Sequence, residues 1–255
     1  MLVAMSPLLT SEELAGVYAK LERANENIRN LNIEITAFLK EGPAGGLSKD
    51  KNKALDEWVE FHAGRGVPPR FGVLAGEGAH HLRSSLDHIA WLLSSDSYRQ
   101  SDERAISFPV LTAPPTTEDE ISKYDRKVQG IASADALKII ERVRPYNTRN
   151  PLEDPLAIVH DLDRVDKHHA IVLVVGTFDL NIPFPKNLFA AMAPLDLSRY
   201  MQDETYAKQF DLKIELKLSR QVAFSRIGQG ENKTVIPTLT HLENAVRDVI
   251  GLFGS

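Results

Sequence analysis

Apolar residues recur at Leu14, Val17, Leu21, Ala24, Ile28, Leu31, Ile35 and Phe38, with polar residues filling the gaps. Spacings of three and four sustained over about four heptads put them on one stripe of a long helix. Thr10 and Glu13 fit a capping box at its start, and Gly42 and Pro43 end it. Asn25 and Asn32 sit beside the seam, which favours a bundle helix over a fibrous coil. A second stripe, Leu82, Leu86, Ile89 and Leu93, predicts a helix from about Phe71 to Leu93. A third helix starts with Asp154 as N-cap and Pro155 at its first position. It carries Ile158, Leu162 and Val165 and runs to about His169. Thr238 or Thr240 is expected to cap a last helix bearing Leu242, Val246, Val249, Ile250 and Phe253.

The stretches between these helices read differently. Gly42–Lys53 reads as a flexible loop and is the best candidate for a linker. "ALDEWVEF", Ala54–Phe61, has no clear period and admits a short strand. Prolines 109, 114, 115 and 145 break Ser94–Asn150 into loops with one or two short helices, the clearest near Ala134–Val143. "AIVLVVG", Ala170–Gly176, is β-branched and apolar, as in a buried strand. "DLKIELKLSR" alternates Leu212, Ile214, Leu216 and Leu218 with charged residues, the period of a half-exposed strand. "QVAFSRIG", Gln221–Gly228, extends it or pairs with it. The expected fold is α+β: mainly a helical bundle, with an antiparallel β-sheet inserted before the C-terminal helix. It is read as one domain, with a helical core at about 10–170 and 238–255 and a β insert at about 170–228.

Composition narrows the chemistry. The 255 residues are 43% hydrophobic and 25% charged, ordinary values for a globular protein. A net charge of -5 excludes a basic field over the whole molecule and leaves room for a local basic site. Without cysteine there is no disulfide, no thiolate nucleophile and no cysteine zinc site. "MLVAMSPLLT" lacks a basic leader region and no apolar run reaches the ~18 residues of a membrane span, so a cytoplasmic protein with no membrane partner is expected.

"LRSSLDHIAW", Leu82–Trp91, concentrates the candidate chemistry. On a wheel of about 100° per residue, Arg83, Asp87, His80, Trp91, Ser84, His88 and His81 all lie off the apolar stripe. Arg83 and Asp87 are i,i+4 neighbours and can pair, which on a solvated face is worth about 0.3–0.5 kcal/mol. Truncating Arg83 or His88 is then expected to cost little packing. Trp91 argues for a covered face, because a tryptophan there would expose a large ring. It is expected to be at least half buried, against the β insert or a second subunit. "HDLDRVDKHH", His160–His169, is a second cluster, with His169 on the apolar stripe and Asp163, Lys167 and His160 facing solvent. Glu77-x-x-His80 and Asp166-x-x-His169 loosely match the pairs of di-iron bundles, but the first helix has only apolar seam positions to offer, so no metal site and no cofactor are assigned. Gly72–His80, "GVLAGEGAH", is glycine-rich without a preceding strand, a weak phosphate-loop signal.

"GEGAHHLRSSLDHIAW", "FPV" at Phe108–Val110, "RPY" at Arg144–Tyr146 and "DKH" at Asp166–His168 resemble a family of uncharacterised bacterial and phage proteins, over about Gly76 to the C-terminus. Arg83 and His88 also have the Arg-x4-His form of the HEPN superfamily, helical bundles of which many are metal-independent endoribonucleases in toxins and phage defence. That resemblance implies Arg83 holding a phosphate, His88 transferring a proton, and a homodimer that brings two motifs together. Asp87, Ser84, His81, Lys167 and His168 are the expected binding residues around them. The expected function is RNA or nucleotide binding, with ribonuclease activity as the enzymatic form. The alternatives are a non-enzymatic ligand- or partner-binding bundle, or a His/carboxylate metal-binding bundle.

Overall fold

The structure is a computed structural model that describes residues 7–49, 51–168, 171–175, 221–225 and 233–254. By its contacts the chain divides into residues 1–176 with 222–255, and residues 177–221. All described helices and both described strands lie in the first unit.

α1, Ser11–Lys40, is the long seam helix. Its capping box is formed: the Thr10 hydroxyl accepts from the Glu13 amide, and the Glu13 carboxylate accepts from the Thr10 amide at 2.7 Å. Every expected seam residue from Leu14 to Phe38 is buried. α3, Pro69–Leu93, is central, packing along α1 and against α7, Pro155–His168, and α8, Val235–Gly251. Leu82, Leu86 and Ile89 are fully buried, each contributing about 1.5–3 kcal/mol of transfer free energy. The Asp154 carboxylate caps α7 by accepting from the Leu156 amide at 2.9 Å.

Three expectations change. "ALDEWVEF" is not a strand but part of α2, Lys51–Arg65, which also shortens the expected Gly42–Lys53 loop. Among its described side chains α2 is anchored by Trp58 and by His62 one turn on, their rings 4.0 Å apart. Trp58 donates to Leu39 O, and His62 sits between Trp58 O and Phe38 O. Gly66, at φ 72°, then turns the chain out of the helix. Between the prolines run α4 (Asp96–Asp102), α5 (Glu118–Val128) and the expected α6 (Ala134–Arg142), more helix than anticipated. α8 begins at Val235, so Thr238 and Thr240 lie inside it, with Pro237 accommodated in its first turn.

The sheet is small. β1, Leu173–Val175, pairs antiparallel with β2, Val222–Phe224, in the register Leu173 to Phe224. Mainly helical architecture with a two-stranded antiparallel sheet before the C-terminal helix is therefore the fold. The strand expected at 211–220 and the core position expected for His169 lie outside the described residues. Among the described residues, no helix is long and apolar enough to cross a membrane.

Candidate functional site

Arg83 is not on a solvated face. It is 5% exposed, enclosed where α3 meets the segment after α4. Its Nη2 donates to Asp87 Oδ1 at 2.6 Å and to Phe108 O at 2.7 Å, while the Phe108 amide donates to the same Asp87 oxygen at 2.8 Å. One ion pair thus holds both polar groups of one peptide residue, and pins the "FPV" segment to α3. Phe108 is fully buried, its ring edge-on to Phe253 at 6.4 Å. Arg83 Nη1 is buried without a hydrogen-bond partner. The expectation that truncating Arg83 costs little packing is overturned by this burial.

The held segment forms one wall of a cavity of about 510 Å³, and α5 forms the other. Arg104, Lys123, Arg126 and Lys127 supply its cations. Two of these are committed: Lys123 pairs with Asp119 at 2.6 Å and Arg126 with Asp102 at 3.1 Å. The one carboxylate of the lining, Glu120, belongs to α5's own capping box. Amides of Thr116 and Thr117 hold it well below the usual range, at about 2. Lys127 is half-buried and has no acceptor among the described residues. Burial pulls its ammonium below the ordinary lysine range, the Arg83 charge pulls it further, and Asp87 offsets part of this. Behind the wall, the Arg144 guanidinium of "RPY" lies 4.2 Å from the centre of the Tyr124 ring, and Tyr146 N donates to Leu111 O. The "LRSSLDH", "FPV" and "RPY" segments are therefore linked to the walls of this cavity through Phe108, Leu111 and Tyr124, although none of the three supplies a lining residue.

His88, Ser84 and His81 lie on a different side of α3, toward α1. Lys20 Nζ donates to Ser84 Oγ at 2.9 Å and to Ser84 O at 3.2 Å. The His88 ring lies over Gly16, where a Cβ would stand 2.8 Å from its Cε1. His88 Nδ1 is buried without a partner, and burial, then the Lys20 charge, lowers its pKa. Burial, then the His80 charge, lowers His81 likewise. Trp91 is more than half buried, as its place on the helix required. Its cover includes Arg99 of α4, whose guanidinium stands 4.1 Å from the ring centre.

Lys167 and His168 lie elsewhere again, exposed at the end of α7. Asp163, expected to face solvent, is 4% exposed and accepts from His80 Nδ1 at 2.8 Å and Lys167 Nζ at 2.7 Å. His160 is exposed as expected, yet partial desolvation, then the Arg83 and Lys127 charges, lower its pKa. The glycines of "GVLAGEGAH" lie inside α3 and serve packing: at Gly72 a Cβ would stand 2.4 Å from Ile171 O, and at Gly76 it would overlap the Asp166 carboxylate. Among the described residues no group of three or more His, Asp or Glu side chains is placed to hold a metal ion. Set against family models, curated proteins and solved structures, the chain matches none of them.

The seven candidate residues thus fall in three places: Arg83 with Asp87, Ser84 with His88 and His81, and Lys167 with His168. Lys127, Arg104 and Tyr124 were not among them. A signal for α5 was present, since Thr117-x-x-Glu120 is a capping box. Its meeting with the Phe108 segment needs the tertiary fold.

Proposed function

We propose that the chain is a cytoplasmic RNA- or nucleotide-binding bundle whose site is the cavity between α5 and the segment held by Arg83 and Asp87. The observation that carries this is Lys127. A half-buried ammonium without an acceptor is costly, and an anionic ligand would repay that cost. Arg104, in the lining of the same cavity, adds a second cation, exposed and without an ion pair among the described residues. On a chain of net charge -5, such a patch is a local feature suited to phosphate rather than a general polyanion surface. In this reading the Arg83–Asp87 pair is a positioning element that shapes the wall. The test is titration of a short fluorescent RNA and of a nucleotide at low salt. Binding by the wild type, weakened by Lys127→Ala with the fold intact, is expected; a folded wild type that binds neither contradicts the proposal.

His88 favours a second reading. An unpartnered nitrogen on an imidazole kept neutral near pH 7 is suited to proton transfer. Here His88 and Arg83 take the roles implied by the HEPN likeness, and a homodimer assembles two motifs for metal-independent RNA cleavage. The commitments of Arg83 to Asp87 and Phe108 weigh against it. Cleavage by wild type in EDTA, lost in His88→Ala, supports this reading, and RNA left intact by a dimeric wild type removes it.

A further inference from the structure

We infer that the cavity takes a free mononucleotide, one aromatic base with its 5′-phosphate, rather than a run of a nucleic-acid strand. This rests on the phosphate-binding reading above and assigns its ligand class. Size is the first argument. About 510 Å³ falls within the roughly 300–1,000 Å³ of small-molecule sites. Strand-binding grooves instead string several aromatic platforms along a charged track. Tyr124 is the one aromatic residue in this lining.

The second argument is the ring itself. Tyr124 lines the cavity, whereas Arg144, at 4.2 Å from its ring centre, is 4% exposed and is not part of the lining. The guanidinium therefore lies on the core side and fixes the ring from behind. Leu111, Pro114 and Pro115 continue the apolar surface around it. A ring fixed before binding stacks a base without first losing rotamer freedom.

Charge is the third. With Lys123 and Arg126 committed to Asp119 and Asp102, and Glu120 held by Thr116 and Thr117, the uncommitted charges are Lys127 and Arg104. Each is a cation that the phosphate of a ligand in this cavity can pair with, and together they carry the charge of one monoester dianion.

Calorimetric titration of the full chain with adenosine and uridine 5′-monophosphates, inorganic phosphate and a short oligo-uridine tests the inference. Mononucleotide should bind at least about tenfold tighter than inorganic phosphate. Tyr124→Ala should weaken the mononucleotide about fivefold or more and leave phosphate unchanged, as expected for loss of one stacking contact. Tyr124→Phe should retain binding, and Lys127→Ala should weaken both ligands. If Tyr124→Ala fails to fold, Tyr124→Leu keeps an apolar side chain without the stacking face and should show the same loss. Inorganic phosphate binding as tightly as the mononucleotide, or Tyr124 variants without effect, would overturn the inference. Oligo-uridine bound in the absence of mononucleotide binding would also overturn it, leaving the phosphate-binding reading in place. If none of these ligands binds, both fall.

Discussion

At the residue scale, Arg83 and Asp87 show why i,i+4 spacing alone understates a contact. The wheel correctly made them neighbours. What it lacked was Phe108, brought from beyond α4 to place its N–H and C=O against the pair. Removing the guanidinium leaves Phe108 O without its charged donor and Asp87, with a third of its side chain exposed, without its cation. Arg83→Ala is therefore expected to cost about 1–3 kcal/mol in urea unfolding, moderated by solvent at Asp87. Arg83→Lys should recover only part of this, because an ammonium lacks the fixed fork of a guanidinium. An Arg83→Ala protein as stable as wild type would show that the clamp contributes nothing. His88 was legible as a functional candidate, but its place over Gly16 was not, since that depends on how closely α1 and α3 approach.

At the element scale, legibility followed locality. α1 and α7 were readable because each joins an apolar stripe to a local start signal, Thr10 with Glu13 or Asp154 with Pro155, and α3 was readable from its stripe alone, since no side chain caps its start. α2 was not, because His62, one of its two buried anchors, is a polar residue that a reading by apolar positions passes over. The glycines of α3 looked like a loop signal, and their use appears only when the neighbours are in place. Gly72→Ala sets a Cβ 2.4 Å from a backbone oxygen, which cannot rotate away as a side chain would. It should destabilise by about 1–3 kcal/mol despite alanine's better helix propensity. Gly76→Ala meets the end of the Asp166 side chain instead, and should cost less than Gly72→Ala. A reversed order in thermal unfolding would contradict this view of the α3 packing.

At the scale of the whole molecule, an acidic chain carries, among its described residues, three histidines, His81, His88 and His160, whose pKa values burial lowers. Below the ordinary histidine value of about 6.5 the unfolded chain binds more protons at these sites than the folded one. Their contribution to stability is thus complete above about pH 6.5 and lost as pH falls through the lowered folded values. Burial raises Asp154 and Asp166, which act with the opposite sign and only nearer the ordinary aspartate range, about 3.9. The melting temperature should fall between about pH 7.5 and 5.5, and replacing the three histidines by glutamine should flatten that fall. An unchanged slope in the triple variant would locate the acid sensitivity elsewhere. The central claim is that Lys127, without an acceptor among the described residues, is held for a phosphate. Its side-chain resonance, assigned by its loss in Lys127→Arg, can be titrated by NMR with and without saturating mononucleotide. The account predicts a midpoint below that of ordinary lysines in the free protein, raised when the ligand binds. A midpoint that ligand binding leaves unmoved would contradict it.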